Sequence, residues 1–342
     1  MKNRFVINIF FCLCTLYSCT NTNNQNASAE PKNHLEKMQL NGKIVSIQTT
    51  IYQAVVANNR IVKGKIIGDR MHQNNIKFVN EYGNISEERY FFTDGYLAHT
   101  NKFSYDSLNR LIEKNTIYPR ERFNEKTVYK LNADGKLIEK STLRSDNSLI
   151  TKEEYVYDAN NVLTEYRLYF SKLHRVTEYI IENQSIKQAR VYDMKNEGKL
   201  KSVKKYDNNE NVIEEEIYNP DGSIKFKFVL KYDGNSRLTE KKQLDSKMKL
   251  IEKTSYKYYS DNKLKEYCIY NSENKMIEKQ ERKFDKNGNI IFSLYSNVED
   301  NIERRRIYEY KFDENMNWIQ RIEILNDTPN EFIERIIKYD ID

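Results

Sequence analysis

Apolar and aromatic residues recur along this chain in pairs that are six positions apart, with five mostly polar residues between the members of each pair. The intervening residues are rich in Asp, Asn and Gly, which favour tight turns because they cap the backbone locally or accept a positive φ angle. Between the pairs, β-branched, aromatic and charged residues alternate as they do in strands. The pattern therefore predicts a succession of β-hairpins. We predict that the hairpins are anchored by Tyr105, Leu111, Tyr157, Leu163, Tyr206, Tyr218, Tyr232, Leu238, Tyr258, Leu264, Tyr270, Phe284, Phe312 and Trp318.

The pairs are regularly spaced. From Val79 to Tyr157, and again from Tyr206 to Phe284, successive first members lie alternately 12 and 14 residues apart. The repeat unit is therefore 26 residues long and holds two turns and two strands, with one slip in phase between Tyr157 and Tyr206. We predict an all-β fold, a long antiparallel meander of about twenty strands. It would curl into a twisted, coiled or shell-like sheet, since open sheets of this size rarely stay flat.

All these spacings are even numbers, and the side chains of a strand alternate with a period of two. We therefore expect the anchor residues to share one concave, buried face, and lysines to dominate the other. Glutamates at equivalent places on the short strands would form a row on the concave face, between the anchors. This row has two interpretations: cross-strand pairing with Lys and Thr neighbours, which we favour, or a track for a cation or a glycan. Its members are Glu87, Glu113, Glu139, Glu214, Glu240 and Glu266.

The beginning of the chain is typical of a bacterial export signal. Lys2 and Arg4 precede a short apolar stretch that ends in Leu16-Tyr17-Ser18-Cys19. These four residues resemble the lipobox of bacterial lipoproteins. The resemblance implies removal of a signal peptide, residues 1–18, and acylation of Cys19, which makes a membrane the first expected partner. We expect a lipid-anchored protein of the bacterial cell envelope, at the outer membrane, with the membrane face left open.

Residues 19–38 are expected to hold the lipidated Cys and a flexible tether, because they are polar and lack periodicity. Residues 39–342 would form a single β-repeat domain. Its ends need caps, and we assign an opening hairpin to 39–70 and a C-terminal capping strand to 330–342. Trp318, the only Trp, is interpreted as a packing residue near this cap. If it is fully buried, Trp318→Ala should cost about 3–5 kcal/mol.

The composition of the chain argues against several classes of function. The 56 Lys and Arg residues are nearly balanced by 50 Asp and Glu, and no concentrated basic stripe is visible, so we expect no nucleic-acid partner. The 26 Tyr residues argue against disorder. The four His are scattered, and only Cys268 would remain free after acylation, so the sequence predicts no metal, cofactor or disulfide. Known catalytic motifs are missing as well, which predicts a protein that is not an enzyme.

The turns resemble a known repeat. Tyr105-Asp106 and Tyr232-Asp233, each followed by Arg and Leu at fixed distances, are similar to the YD repeats of RHS-type proteins, whose repeats build a spiralling β-sheet shell. A closer resemblance is to the YD-repeat lipoproteins common in Bacteroidetes. It is carried by these turns, by an opening segment, Leu40-Asn41-Gly42-Lys43, and by a late pair, Asn317-Trp318. The resemblance implies fold and location more than activity, and no toxin tip accompanies it.

Three functions are compatible with these features. The leading hypothesis is an envelope lipoprotein whose long sheet acts as a structural or interaction surface for an envelope protein or glycan partner. A second is a receptor that binds glycans or peptides through a tyrosine-rich face, since tyrosine offers both a flat ring and a hydroxyl. A third is an immunity or inhibitor protein that pairs with its partner through a free strand edge.

Overall fold

The computed structural model describes residues 33–68, 74–120 and 124–340. They form a single 23-stranded antiparallel sheet, preceded by one short helix. The predicted all-β meander is confirmed. The signal peptide (1–18), Cys19 and most of the tether lie outside the described residues. Within the described residues, no helix is long and apolar enough to cross a membrane.

The order of the elements follows the chain. The helix α1 spans His34–Lys37, and a 3₁₀ turn spans Met194–Asn196. The strands are β1 (Ile44–Ala57), β2 (Arg60–Ile66), β3 (Asn74–Val79), β4 (Ile85–Phe91), β5 (Leu97–Tyr105), β6 (Leu111–Ile117), β7 (Glu125–Leu131), β8 (Leu137–Arg144), β9 (Leu149–Tyr157), β10 (Leu163–Phe170), β11 (Lys172–Glu182), β12 (Ser185–Asp193), β13 (Lys199–Tyr206), β14 (Val212–Tyr218), β15 (Ile224–Tyr232), β16 (Leu238–Leu244), β17 (Leu250–Tyr258), β18 (Leu264–Tyr270), β19 (Met276–Phe284), β20 (Ile290–Asn297), β21 (Ile302–Phe312), β22 (Trp318–Leu325) and β23 (Thr328–Tyr339).

The sheet closes on itself because the first long strand pairs on both of its edges. One edge of β1 pairs with β23 from Ile44 to Gln53. The other edge pairs with β3 through Ser46–Thr49 and, farther along, with β2. Strands β1 and β3 to β23 therefore form a closed ring, a barrel or shell, and β2 is an additional strand on β1. Of the twisted, coiled or shell-like sheets expected from the sequence, the protein therefore has the closed, shell-like one.

The six-residue spacing of the anchors corresponds to one repeated turn. After Tyr232, the Asp233 N–H donates to the Arg237 carbonyl, and the Ser236 N–H donates to the Asp233 carbonyl, each at 3.0 Å. The Asp233 carboxylate also accepts backbone hydrogen bonds from Asn235 and Arg237. The fourth residue after the first anchor has a positive φ angle, which Gly and Asn tolerate best. This position is occupied by Gly83, Gly95, Asn109, Gly135, Asn147, Asn161, Glu210, Gly222, Ser236, Met248, Asn262, Asn274, Gly288 and Met316.

Each of these turns is followed by a β-bulge. Tyr232 pairs with Leu238, whereas the preceding Lys231 pairs with Glu240, so Thr239 is an extra residue in its strand. An extra residue interrupts the alternation of side chains between the two faces. Tyr232 and Leu238 consequently lie on one face, and Lys231 and Glu240 lie on the other. The expectation that all anchors share one face is therefore wrong, because it counted residues without these bulges.

Anchor pairs instead alternate between the faces. Tyr105, Tyr157 and Tyr232 occupy equivalent places and share a face, as predicted. At the opposite end of the strands, Leu244 pairs with Lys227, so it lies on the lysine-bearing face. We call the end that carries the turns after Val79, Tyr105, Leu131, Tyr157, Tyr206, Tyr232, Tyr258, Phe284 and Phe312 the tyrosine rim.

The face that carries Tyr232 is the inner face of the ring. Burial is the main cause that raises the pKa of Tyr105 and of Tyr232 to about 12. On the opposite, outer face, the side chains of Lys231 and Lys257 are 63% and 69% exposed. The concave face of a closed sheet is the more enclosed one, which assigns the tyrosine-bearing face to the inside.

Conventional apolar packing is concentrated where the ring closes, a region we call the seam (α1, β1, β2, β22 and β23). Leu35 of α1 packs with Ile44 and Ile47, and a second cluster joins Ala54, Ile322 and Phe332. The helix lies at the end of the segment predicted as a tether, and its Leu35 is buried. Part of that segment is therefore folded onto the sheet, because Leu35 finds an apolar site there.

A hydrogen-bonded clasp joins the two ends of the ring at the tyrosine rim. The Asn41 N–H donates to Asn317 Oδ1 at 2.8 Å, and Asn317 Nδ2 donates to the Asn41 carbonyl at 2.8 Å. Asn317 Nδ2 also donates to the Tyr339 hydroxyl, which in turn donates to Asp313. Asn317 is only 1% exposed. The opening segment and the late Asn-Trp pair, on which the family resemblance rests, thus contact each other directly.

Candidate binding surface on the inner face

The anchor tyrosines of the tyrosine rim have a structural role. The Tyr105 hydroxyl donates to the Ile85 carbonyl at 2.6 Å, a residue in the preceding turn of the same rim. Each bond of this kind spans 20 residues and ties one hairpin to the next. The same contact is made by Tyr157 to Leu137, Tyr232 to Val212, Tyr258 to Leu238 and Tyr310 to Ile290. Their hydroxyls therefore hold neighbouring hairpins of the ring together.

The other predicted anchors also have cross-strand partners. Tyr206 faces Val212, and Tyr270 faces Met276, with the Lys253 ammonium 4.2 Å from the Tyr270 ring centroid. The remaining pairs are Tyr105 with Leu111, Tyr157 with Leu163, Tyr218 with Ile224, Tyr258 with Leu264, Phe284 with Ile290, and Phe312 with Trp318.

Trp318 is half-buried. The cost of about 3–5 kcal/mol, which is expected for Trp318→Ala if this residue is fully buried, therefore does not apply. Its ring lies 6.0 Å from that of Tyr310 in an edge-to-face arrangement. The guanidinium of Arg335 stacks over it, with Cζ 3.3 Å from the ring centroid. The fully buried residue at this place is its neighbour, Asn317. Trp318 therefore packs beside the clasp, and one of its contacts is a charged group.

The predicted row of glutamates lies on the outer face and not on the concave face, because the β-bulge after each anchor reverses the alternation. Its carboxylates pair with lysines. Glu266 contacts Lys257 at 2.9 Å and Lys279 at 3.0 Å, and the hydrogen bond from Lys257 is the main cause that lowers the pKa of Glu266. The lysine-pairing interpretation is confirmed. Equivalent ion pairs join Glu87 to Lys102, Glu113 to Lys126, Glu139 to Lys130 and Lys152, Glu214 to Lys205 and Lys227, and Glu240 to Lys231 and Lys242.

The inner face carries a second set of tyrosines, which the anchor pattern missed. Glu153 accepts hydrogen bonds from the hydroxyls of Tyr155 at 2.8 Å and Tyr166 at 3.2 Å, and from Lys140 at 2.8 Å. The rings of Tyr155 and Tyr166 lie 5.2 Å apart. This set has a sequence signal, a Tyr two residues after a Glu on a long strand.

Two further sets repeat the arrangement. Glu88 accepts from the Tyr90 hydroxyl at 3.0 Å, from Lys77 at 2.6 Å and from Asn101 at 3.1 Å. Glu278 accepts from Tyr267 at 2.9 Å and from Tyr295 at 3.1 Å. Pairs of ring and carboxylate are thus distributed around the inner face.

The protonation states of these groups follow from their partners. Burial alone would raise the pKa of Glu88, but the charge and hydrogen bond of Lys77 outweigh it and lower this pKa. Burial, reinforced by the hydrogen bond to Glu153, raises the pKa of Tyr155 well above its usual range. At neutral pH Glu88 is therefore charged and Tyr155 is a neutral donor. This surface suits polar ligands that offer hydroxyl groups.

The inner face and its surroundings also carry His and Cys side chains, the residue types that most often serve in catalysis or metal binding. Among residues 33–68, 74–120 and 124–340, no three His, Cys, Asp or Glu side chains form a group that could hold a metal ion. Cys268 is a buried free thiol, and desolvation raises its pKa, which disfavours the nucleophilic thiolate. His99 stacks on Tyr90 at 4.5 Å, and desolvation lowers its pKa.

Comparisons with known proteins return structures but no family. No family profile and no curated protein matches the chain. Among solved structures, a complex of TcdB2–TccC3 with Cdc42 matches at 9% identity and a TM-score of 0.32, over 84% of this chain and 18% of the other. The chain thus spans under a fifth of that structure.

Two other matches are porin-like proteins. The protein from Bacteroides uniformis has 8% identity and a TM-score of 0.29, over 86% of this chain and 98% of the other. The protein from Bacteroides vulgatus has 10% identity and a TM-score of 0.25, over 72% of this chain and 99% of the other. In all three cases the similarity is to a large antiparallel β structure.

Proposed function

We propose that this chain is a lipid-anchored, non-enzymatic protein of the bacterial cell envelope whose closed YD-type sheet is a scaffold that presents an interaction surface. The observation that carries the proposal is the clasp between Asn41 and Asn317. It joins the two segments by which the sequence resembles YD-repeat lipoproteins. Such a clasp closes the ring through the chain's own residues, as a scaffold requires.

The lipid anchor is tested by replacing its cysteine. We expect Cys19→Ser to shift the protein from the membrane fraction to the soluble fraction and to abolish incorporation of labelled fatty acid. Cys268→Ser is the matched control, because it removes the thiol described in the β18 strand and leaves the lipobox intact. Membrane association and labelling that persist in Cys19→Ser would overturn the anchor.

The scaffold role is tested by crosslinking the acylated protein in intact cells and identifying its partners by mass spectrometry. We expect one or a few envelope proteins to be captured by the native chain through its outer face, where side chains such as Lys231 and Lys257 are exposed. Substitution of outer-face lysines should reduce this capture, whereas Tyr155→Phe on the inner face should not. Capture that depends on the inner face would contradict the outer surface as the site of interaction.

A second function is favoured by the Tyr and Glu sets of the inner face. In a receptor for neutral glycans, carboxylates such as Glu153 would accept hydrogen bonds from sugar hydroxyls and tyrosine rings would stack on the sugar. A glycan array with the full-length chain and with Glu153→Gln tests it. Specific binding that Glu153→Gln weakens at least tenfold is expected, and an array without any binding would reject this function.

Pairing through a free strand edge is less well supported than the other two functions. Both edges of β1 are engaged, and β23 pairs with β1 and with β22. A partner strand would have to displace one of these pairings or use the additional strand β2. We therefore place edge pairing behind the scaffold and the receptor.

A further inference from the structure

One cationic side chain of the inner face stacks on an aromatic ring and has a buried nitrogen without a hydrogen-bond partner. Arg335 lies on β23, and its guanidinium stacks on Trp318 with Cζ 3.3 Å from the ring centroid. Its Nε atom is buried and has no hydrogen-bond partner. The stack occupies one face of the guanidinium and does not satisfy the N–H groups, which lie in its plane.

A second arginine lies next to it on the same face. Arg321 Nη2 donates to Glu331 at 2.7 Å, and its guanidinium lies 5.5 Å from the ring centroid of Tyr308. Its Nε is also buried without a hydrogen-bond partner. Two guanidinium groups thus share a single paired carboxylate, which leaves one positive charge in excess.

The electrostatic state of Arg335 agrees with this excess. Desolvation, with a further contribution from the like charge of Arg321, lowers the pKa of Arg335 to about 9. Burying a charge without a counter-charge is costly, because the interaction with water is lost and nothing replaces it. A bound anion would restore the compensation, and a carboxylate fits the planar fork of a guanidinium with two parallel hydrogen bonds.

We propose that Arg335 and Arg321 form a binding site on the inner face for a carboxylate-bearing sugar, a uronate unit of an acidic glycan. The carboxylate would accept hydrogen bonds from the free edge of the Arg335 guanidinium and from Arg321. The neighbouring rings of Tyr308 and Tyr310 would cover the sugar. This proposal goes beyond the scaffold function, and it depends neither on Cys19 nor on the neutral-glycan site at Glu153.

The site has a built-in reporter, since Trp318 is the only Trp of the chain and touches Arg335. The experiment titrates the full-length protein with trigalacturonate and follows the Trp fluorescence. The matched ligand is the methyl ester of the same trisaccharide, which has the same sugars without the charge. We expect a saturable change with the acid and at least tenfold weaker binding of the ester. An equal response to acid and ester would overturn the proposal.

Substitutions of Arg335 test where the sugar acid binds. Arg335→Gln should weaken binding of the acid at least tenfold, and Arg335→Lys should recover only part of the loss because an ammonium lacks the fork. Arg89→Gln is the matched control, since Arg89 also lies over an aromatic ring, at 4.9 Å from the Phe78 centroid, but on the outer face. Unchanged affinity in Arg335→Gln, or an equal loss in Arg89→Gln, would contradict the site.

A second variant and a competing anion complete the experiment. If Arg335→Gln fails to fold, the double variant Arg321→Gln with Glu331→Gln removes the second arginine together with its partner and should also weaken binding at least tenfold. Sodium sulfate supplies an inorganic anion at equal ionic strength. Tight binding of sulfate that competes fully with the sugar acid would replace the proposal by a site for an inorganic anion only.

Discussion

The seam and the remaining wall of the ring are stabilised by different means. At the seam, apolar residues are almost fully buried, such as Ile47 at 3% and Phe332 at 5% exposure. Along the wall, the buried positions are mainly small and polar, as at Thr116, Ser202 and Thr254. The seam has a helix and an additional strand to pack against, whereas the wall is one sheet thick over most of its length.

This difference explains how a chain with 39% hydrophobic residues forms so large a sheet. The wall depends on repeated local interactions: backbone pairing, capped turns, tyrosine hydroxyls and ion pairs. Each contributes little, but every repeat supplies another set. The seam joins residues as far apart as Asn41 and Asn317 and therefore needs a conventional core. Changes to the seam should act on the whole ring, and changes to the wall should act on one repeat.

The largest effect is expected from alkaline pH, which acts on many wall tyrosines together. Burial raises the pKa of Tyr105, Tyr232 and Tyr308 to about 12, against 10.0 for a free phenol. Between pH 10 and 12 the unfolded chain loses these protons first, so the free energy of unfolding should fall as pH rises. Denaturant titrations at several pH values measure this. Stability that is unchanged from pH 10 to 12 would contradict the assigned burial.

The next effect is expected from the core of the seam. Phe332→Ala should cost about 3–5 kcal/mol, because a buried aromatic ring is lost and a cavity remains. Its ring packs edge-to-face with Tyr52, 6.4 Å between centroids, and beside Ala54 and Ile322. Ile251→Ala on the wall is the control, since Ile251 is 36% exposed, and it should cost under about 1 kcal/mol. Equal losses in urea unfolding would remove the distinction between seam and wall.

The third largest loss of stability is expected from a change to the clasp. Asn317→Ala removes three side-chain hydrogen bonds and leaves the partner groups at Asn41 and Tyr339 without them, which should cost about 2–3 kcal/mol. Asn289→Ala is the matched control, because Asn289 has the same position in a wall turn and bonds only within it. Hydrogen exchange should accelerate in β1 and β23 in the first variant alone. Exchange in β1 and β23 that is the same in both variants would contradict the clasp.

A single tyrosine hydroxyl of the wall should matter less. Tyr258→Phe removes the hydrogen bond to the Leu238 carbonyl, 2.8 Å long, and should cost about 1 kcal/mol. Tyr82→Phe serves as the control, since Tyr82 is 59% exposed. The melting temperature of both variants gives the comparison. A loss in Tyr82→Phe as large as that in Tyr258→Phe would show that the bond between neighbouring turns adds nothing.

The smallest effect is expected from an outer-face ion pair. Lys227→Ala removes contacts to Glu214 at 2.8 Å and Glu216 at 3.2 Å, and should cost about 0.5 kcal/mol at low salt. The cost should shrink in 1 M NaCl, because exposed charges are screened. A loss above about 2 kcal/mol that is the same at low and at high salt would mean that the outer-face ion pairs contribute far more to stability than surface ion pairs usually do.

The sequence by itself determined the local structure of the wall. Strands and turns follow from residues that are close along the chain. The Asp at 106, 158, 207, 233 and 285 caps its own turn, and in three of these five turns an Asn or Gly accepts the positive φ that follows. The pairing of Glu266 with lysines was also predictable, because cross-strand neighbours follow from the register.

Only the tertiary structure decided the faces, the closure and the inner surface. The extra residue at Thr239 and its equivalents reverses the alternation, and spacing along the chain does not reveal it. Closure depends on the twist accumulated over 22 strands and on contacts such as Asn41 with Asn317, 276 residues apart. The pairing of β22 with β23 brings Arg335, Trp318 and Arg321 together, and closure makes their face the enclosed one. Closure is global because it depends on the summed geometry of many repeats, whereas turn chemistry acts within one.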